Sequence, residues 1–551
     1  MANPARFAPL ALLAAVAVLA SGQSQTGAQT GADPLAPTRD TKSATEIDRE
    51  WQQSVSKYDS TRAKILAETD RQANDGPFRA DAATLMKYQQ PQWYKDAKFG
   101  IFIHWGVYSV PAAENEWYPR NMYYPKEGAY KNFRQYFANG DESRGYKDLI
   151  PLFKAEKFDA NAWATLFKES GAQYIVPVAE HHDGFAMYDS ALSDWTVVKM
   201  GPKRDTLGEL AQAVRAQGIH FGLSYHRAEH DWFLDGGRAI RSDVNDPRYA
   251  SLYGPAHQRL DGGDSDFMQQ DFTYVSPEYA RDWLARASEL VQKYHPEVFY
   301  FDWWAGQPGY RREITEFAAF YYNFAQAHNY GGVIDIKIDD LPWKAGARDF
   351  ERGAQDKIQP AHWQTDTSIS NASWGYVEHD TYKTSEEIIH QLVDIVSKNG
   401  NLLLNIGPKS DGTIPDEARE RLQAIGAWLK VNGDAIYSTT PWVTYGEGPT
   451  QIKAGTFTDT STKPYTPEDF RFTAKGQIIY AIGMACPADS KVIIHSLGYA
   501  TTAISPRIGN VELLGSSDKV RWKQEADRLT VTLPAGASCQ YAYTLKLTPA
   551  R

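Results

Sequence analysis

Six short apolar runs recur along about 350 residues of this chain, and they constrain its fold more than any other feature. They are FGIFIHWG (99–106), YIVPVA (174–179), IHFGLSYH (219–226), VFYFD (298–302), GVIDIK (332–337) and NLLLNIG (401–407). Their apolar residues are consecutive, not alternating, which marks strands buried on both faces. The segments between them read as helices. In TLGELAQAVRAQG a capping box of Thr206 and Glu209 precedes a stripe of Leu207, Leu210, Ala211 and Val214, and Gly218 ends it. In SPEYARDWLARASELVQKY, Ser276 caps, Pro277 takes the first helical position, and Trp283, Leu284, Ala287, Leu290 and Val291 form the buried face. A third helix runs from Pro415 to Gly433. Strands alternating with helices predict an α/β fold with a parallel sheet covered by helices. An open doubly wound sheet and a (β/α)₈ barrel both satisfy that pattern. The barrel is favoured because polar residues recur at the C-terminal ends of several strands: His104, Glu180 to Asp183, Tyr225 with His226, and Asp302. The sixth and seventh strands are not separable in the pattern.

Outside this region the texture changes. MANPARFAPLALLAAVAVLASGQ has one arginine, an apolar run from Phe7 to Ala20 and then small residues. The run is short for a membrane span and reads as a secretory signal over 1–22, with export to the periplasm or medium expected. Residues 23–84 read as a polar linker followed by a helix from about 44 to 73, and 85–440 as the barrel-like domain. From 441 to 551, short strands broken by turns, without helix signals, predict an all-β sandwich. The two cysteines, Cys486 and Cys539, both lie there, either as one disulfide or as two buried thiols. With no cysteine before 486, a thiol nucleophile or cysteine-based zinc site is excluded from most of the chain.

A net charge of −10 without a basic block argues against nucleic acid or an anionic membrane surface as partner. Aromatic residues make up 13%, with 16 Trp and 32 Tyr. They serve either a large core or the faces of sugar rings. The strand ends offer Asp, Glu, His, Trp and Tyr, and GPKSDG (407–412) lacks the lysine and helix context of a phosphate loop. Two carboxyls beside aromatics suit glycoside hydrolysis. HHDGF (181–185) suits either a metal or sugar hydroxyls, since a neutral imidazole both donates and accepts. Glu116 beside Trp117 in ENEWY (114–118) is either a pocket group or a surface ion pair.

Together, KFGIFIHWGVYSVPAAENEWYPRNMY (98–123), EHHDGFAMYDS (180–190), GPKRDTLGEL (201–210), VFYFDWWAG (298–306) and SKNGNLLLNIGPKSDGTIP (397–415) resemble the α-L-fucosidases of glycoside hydrolase family 29, in order and over roughly 90–440. The resemblance implies a (β/α)₈-like catalytic domain, a C-terminal β-sandwich and a retaining exo-α-L-fucosidase acting on fucosylated glycans, with no cofactor and no metal. Asp302 matches the nucleophile. His104, Glu116, Trp117, His181 and His182 match the pocket for the fucose hydroxyls, and Tyr225 or His226 a further pocket position. The segment 347–376 resembles the variable loop that carries the acid/base in one branch of the family, which implies Glu351 in that role and Trp374 in the pocket wall; Glu297 and Glu378 are the alternatives. Many relatives carry a lysine where this chain has Glu180, and the loop after GLSYHRAEHDWF is longer, so substrate range stays open. Another exo-glycosidase on the same barrel, such as a galactosidase, a metal hydrolase using the His pair, and a non-catalytic fucose-binding protein are the rival readings.

Overall fold

The computed structural model describes residues 42–258, 274–337, 340–342, 344–459, 463–501, 506–534 and 539–550. The expected signal and most of the linker lie outside the described residues. Eight parallel strands close into a barrel in sequence order. They are β1 (Phe99–Ile103), β2 (Tyr174–Glu180), β3 (His220–Tyr225), β4 (Val298–Phe301), β5 (Val333–Ile336), β6 (Ala347–Asp349), β7 (Trp363–Ser368) and β8 (Gly400–Ile406).

Side chains alternate along each strand, so each strand has a lumen face and a helix-facing face. Phe102, Val176, Val298, Tyr300, Val333, Ala347 and Leu403 pack together in the lumen with Tyr94 and Tyr174. Their neighbours Ile101, Ile175, Phe299, Phe301, Ile334, Leu402 and Leu404 join the larger core under the helices. Gly100 on β1 is required by this packing, because a Cβ there would meet the Tyr174 ring at 2.5 Å.

β6 and β7 occupy part of 347–376, so that segment is two strands with loops after each, not one loop. They escape recognition because their lumen face is polar. Gln364 on β7 accepts from the Tyr94 and Tyr174 hydroxyls at 3.0 and 2.7 Å, and donates to Asp335 and Asp349 at 3.0 and 2.9 Å. A buried polar layer of this kind is stable only when fully bonded, and here the partners come from the helix before β1 and from β2, β5 and the adjacent β6.

The helix Thr206–Ala216 is capped by Asp205, whose carboxylate accepts from Gly208 N. Thr206 is already inside the helix and Glu209 instead pairs with Arg204, which corrects the expected capping box. Ser276 does cap the helix Pro277–Tyr294. The polar N-terminal segment is two helices, Ala44–Val55 and Asp59–Asn74, pinned to the barrel helices by Arg62 on Asp282 at 2.8 Å.

Beyond the barrel lie β9 (Thr440–Glu447), β10 (Phe470–Lys475), β11 (Ile478–Gly483), β12 (Lys491–Ile494), β13 (Ile508–Leu513), β14 (Arg521–Gln524), β15 (Leu529–Thr532) and β16 (Tyr543–Pro549). They form two antiparallel sheets, in the orders β13-β16-β11-β10-β9 and β12-β15-β14. Phe470, Phe472, Val492, Val531 and Leu545 are among the buried residues of their shared core. Cys486 and Cys539 are disulfide-bonded. Arg471 on β10 bonds Asp394 of the barrel helix Ser385–Ser397 at 2.6 Å, a buried ion pair across the two domains.

Candidate active site

A cavity of about 860 Å³ opens at the C-terminal ends of the barrel strands. The same alternation that fills the lumen decides which side chains reach it. On β4, Val298 and Tyr300 face inward, so Asp302, two residues on, faces inward as well. Register carries the rule round the barrel: Tyr300 pairs with Asp335 on β5, so Asp302 stands level with Lys337. His104 follows Phe102 on β1, His226 follows Ser224 on β3, Glu351 follows Asp349 on β6, and Asp366 follows Gln364 on β7.

His104, Glu116, Trp117, His181, His182, His226, Asp302, Glu351 and Trp374 all line this cavity. Tyr225 does not. It has the opposite parity on β3, packs against Trp283, Phe299 and Phe301, and donates its hydroxyl to the Trp283 carbonyl at 3.0 Å. The pocket position at this strand end therefore falls to His226. Glu297 and Glu378 also lie outside the cavity lining. Glu297 sits at the opposite end of β4 and pairs with His220 at 2.7 Å. Glu180 faces away from the cavity, because a register shift after Val178 turns it toward Arg227 and Arg286, at 2.6 and 2.5 Å. β2 ends at Glu180, which frees both His181 and His182 to turn inward.

Asp302 Oδ2 accepts from His226 Nδ1 at 3.0 Å, and His226 Nε2 accepts from the Ser224 hydroxyl at 2.9 Å. A carboxylate can only accept, so this chain of bonds fixes the His226 tautomer. His182 donates Nδ1–H to the His226 carbonyl at 3.1 Å, which leaves Nε2 as an acceptor 3.5 Å from Asp302 Oδ2. Burial opposes charge on Asp302, but His226, with Lys337 beside it, outweighs burial and holds the carboxyl below the usual carboxylate range. Burial and the His226 ring push His182 down to about 3, so it is neutral near neutrality.

Glu351 is a second carboxyl in the lining of the same cavity. Trp303 Nε1 donates to Oε2 at 2.5 Å, and Lys337 Nζ is 3.5 Å from the same oxygen. Burial raises Glu351 to about 7; Lys337 opposes the rise, while Asp366 and Asp302 add to it. Lys337 is the residue that the sequence reading passed over. Its ammonium bonds Asp349 at 2.8 Å and lies 3.4 Å from Asp366, whose carboxyl also accepts from the Tyr300 hydroxyl at 2.8 Å. Burial and Asp349 hold the Asp366 carboxyl well above the usual range, and burial raises Asp349 as well, against the pull of Lys337. The signal was present in GVIDIK, where Lys337 shares the inward face with Val333 and Asp335.

The remaining wall is held by backbone. Glu116 Oε2 accepts from Trp374 N at 2.8 Å, and Asn405 Nδ2 donates to the Trp374 carbonyl at 2.7 Å. Asn405 Oδ1 accepts from His104 Nδ1 at 2.8 Å, which leaves His104 Nε2 as an acceptor. His181 Nδ1 is buried without a hydrogen-bond partner among the described residues. Trp304 packs on Trp232 at 5.1 Å between ring centroids, so of the tryptophan pair Trp303 bonds a carboxyl and Trp304 builds the wall.

Two groups, His104 with His181 and His226, and His182 with His226 and Asp302, bring potential ligand atoms within 4.8 Å of one another. Both ring nitrogens of His226 are already bonded, so a cation in either group would break the tie to Ser224 or to Asp302. Neutral imidazoles with one nitrogen anchored and one free suit hydroxyl groups.

The α-L-fucosidase family model matches residues 65–434, and the model of the α-L-fucosidase C-terminal domain matches 463–548. The chain is 35% identical to the plasma α-L-fucosidase of Rattus norvegicus over 482 residues, 83% of this chain and 91% of that one. It is 34% identical to the human plasma enzyme over 478 residues, 84% and 90% of the two chains. Among solved structures, Thermotoga maritima α-fucosidase in complex with fucose superposes with a TM-score of 0.66 at 30% identity, covering 85% of this chain and 100% of that one. A barrel and a β-rich C-terminal domain each match their own family model, in the same order and over most of the chain, and on that ground the chain belongs to the α-L-fucosidase family.

Proposed function

We propose that this α-L-fucosidase releases terminal α-L-fucose from oligosaccharides or glycoconjugates by double displacement, with Asp302 as nucleophile and Glu351 as acid/base. The observation that carries this reading is the opposite tuning of two carboxyls in one cavity. His226 and Lys337 keep Asp302 ionised, while burial keeps Glu351 protonated up to about neutrality. Those are the states that attack on an anomeric carbon and protonation of a leaving oxygen require.

In the first step Asp302 forms a bond to the anomeric carbon as Glu351 gives its proton to the departing oxygen. In the second, Glu351 takes a proton from water, and the water displaces Asp302. A retaining enzyme places its two carboxyls about 5–5.5 Å apart. The free acceptor nitrogens of His104 and His182 and the unpartnered nitrogen of His181 match the hydroxyls of fucose. Aromatic rings such as Phe102, Trp117 and Trp232 supply apolar surface for its C6 methyl. A galactoside would set a hydroxyl against that surface and leave it unpaired, which disfavours the galactosidase reading. Residues 1–22 serve export in this reading, and no described helix is long and apolar enough to cross a membrane.

Hydrolysis of 4-nitrophenyl α-L-fucoside beside Lewis-type and 2′-fucosylated oligosaccharides tests the activity. Proton NMR of the first-formed sugar tests the mechanism. α-L-Fucose as first product supports double displacement; β-L-fucose overturns it.

A further inference from the structure

The loop between β9 and β10, within the C-terminal domain, returns to the active site. Phe457 N donates to the Glu351 carbonyl at 2.9 Å, and Thr458 N to the Arg352 carbonyl at 2.8 Å. Ala354 and Gly455 form an antiparallel bridge beside them. The acid/base residue is thus paired, backbone to backbone, with residues outside the barrel strands. This pairing sets the Phe457 side chain at the wall of the cavity, next to Glu351.

Phe457 stands apart from the buried aromatic residues of the site. It is 56% exposed, whereas Phe102 and Phe233 beside the cavity are buried. Its φ of +54° is a left-handed conformation that a bulky residue rarely adopts. A strained, exposed aromatic ring at a cavity mouth is a recognition surface in search of a flat apolar partner. The cavity is also larger than one monosaccharide needs, at about 860 Å³. The leaving sugar must lie on the side from which Glu351 protonates the glycosidic oxygen, and Phe457 lines the same cavity with its backbone bonded to that of Glu351.

We propose that Phe457 is the stacking platform for the sugar to which fucose is linked, so that a residue outside the barrel strands sets selectivity for the leaving group. The inference rests on the roles given above to Asp302 and Glu351. It gives the β9–β10 loop of the C-terminal domain a part in substrate choice, through one residue whose backbone is bonded to that of the acid/base.

The test compares α-L-fucosyl fluoride, which has no leaving-group ring, with the best-cleaved member of a panel of fucosyl disaccharides of each linkage. For Phe457→Ala the ratio of kcat/KM on the disaccharide to that on the fluoride falls by roughly tenfold, most of it in KM, as expected for the loss of one apolar ring face. Phe457→Trp restores the ratio or raises it. An unchanged ratio in Phe457→Ala, or a ratio that Phe457→Trp lowers as far as alanine does, overturns the platform. A wild-type enzyme that cleaves neither substrate overturns the fucosidase reading and the platform with it. A wild-type enzyme active on both, with an unmoved ratio in Phe457→Ala, overturns the platform alone.

Discussion

His226 Nδ1 donates to Asp302 Oδ2 at 3.0 Å, and it does so from the neighbouring strand. β3 and β4 are paired in register from Gly222 with Val298 to Tyr225 with Phe301, so His226 and Asp302 are the next pair up. The bond is a product of strand register, with each partner one residue past its strand. Of the groups that counter burial at Asp302, His226 contributes most. In His226→Ala the Asp302 carboxyl rises, and kcat/KM gains an acid limb at about pH 4–6 that the wild type lacks. Glutamine, which keeps a donor, gives a smaller displacement. A pH–rate profile whose acid side matches the wild type in both variants would remove His226 from this role.

Asp302→Ala removes the proposed nucleophile. Turnover falls on the order of 10⁴-fold, the range seen when a nucleophile is deleted. Azide enters the vacated space and restores turnover of an activated fucoside, with β-L-fucosyl azide as product. Wild-type kcat in Asp302→Ala, or azide rescue yielding the α-azide, contradicts the assignment.

Much of this site is legible in the sequence because apolar strands announce themselves. β1 to β5 and β8 each carry a run that identifies the strand, and the residue after such a run is a candidate by position alone. What the pattern hides is parity. Tyr225 and His226 both follow the β3 run, and only the alternation of Gly222, Ser224 and His226 against Phe221, Leu223 and Tyr225 separates wall from core. β6 and β7 are hidden for a different reason. Their inward residues Asp349, Gln364 and Asp366 are polar because the lumen near the chemistry is a hydrogen-bonded layer, so the expected apolar signature is absent. Lys337 is lost in the same way, as a charge at the end of a run taken for its apolar residues.

Glu351 is protonated below about 7, which sets the alkaline side of the wild-type pH profile there. Activity that needs the acid form falls as pH rises through that value. Glu351→Gln lowers kcat/KM on natural oligosaccharides by about 10²–10⁴-fold. Aryl fucosides with good leaving groups suffer less, since their departure needs no proton. Equal losses on both substrate classes point to another acid.

Lys337 lowers the Glu351 carboxyl from 3.5 Å away, so its removal moves the alkaline limb upward. Lys337→Met shifts that limb by about one pH unit toward higher pH. It also leaves Asp349 without its cation in the barrel lumen, a loss worth about 3–5 kcal/mol when a buried pair is broken. Thermal melting beside the pH profile separates the two effects. A limb that stays in place in a destabilised but folded variant would show that Lys337 serves only the fold.

His257 ties the N-terminal helix to the cavity wall. Its Nδ1 lies 3.0 Å from Asp231, beside Trp232, and its Nε2 lies 3.3 Å from Asp48 on the helix Ala44–Val55. Burial disfavours the charged ring, but Asp231 and Asp48 outweigh it and raise His257 to about 10. An unfolded histidine titrates near about 6.5. The folded value is the higher one, so the stabilisation is complete below about 6.5 and is lost as pH rises through about 10. The melting temperature of the wild type therefore exceeds that of His257→Gln most on the acid side of this window, and the gap narrows steadily across it. Because other groups titrate in both proteins, the difference between the two curves is the quantity to follow. A gap that stays constant from neutrality to about pH 10 would mean that His257 is held by packing and not by its charge.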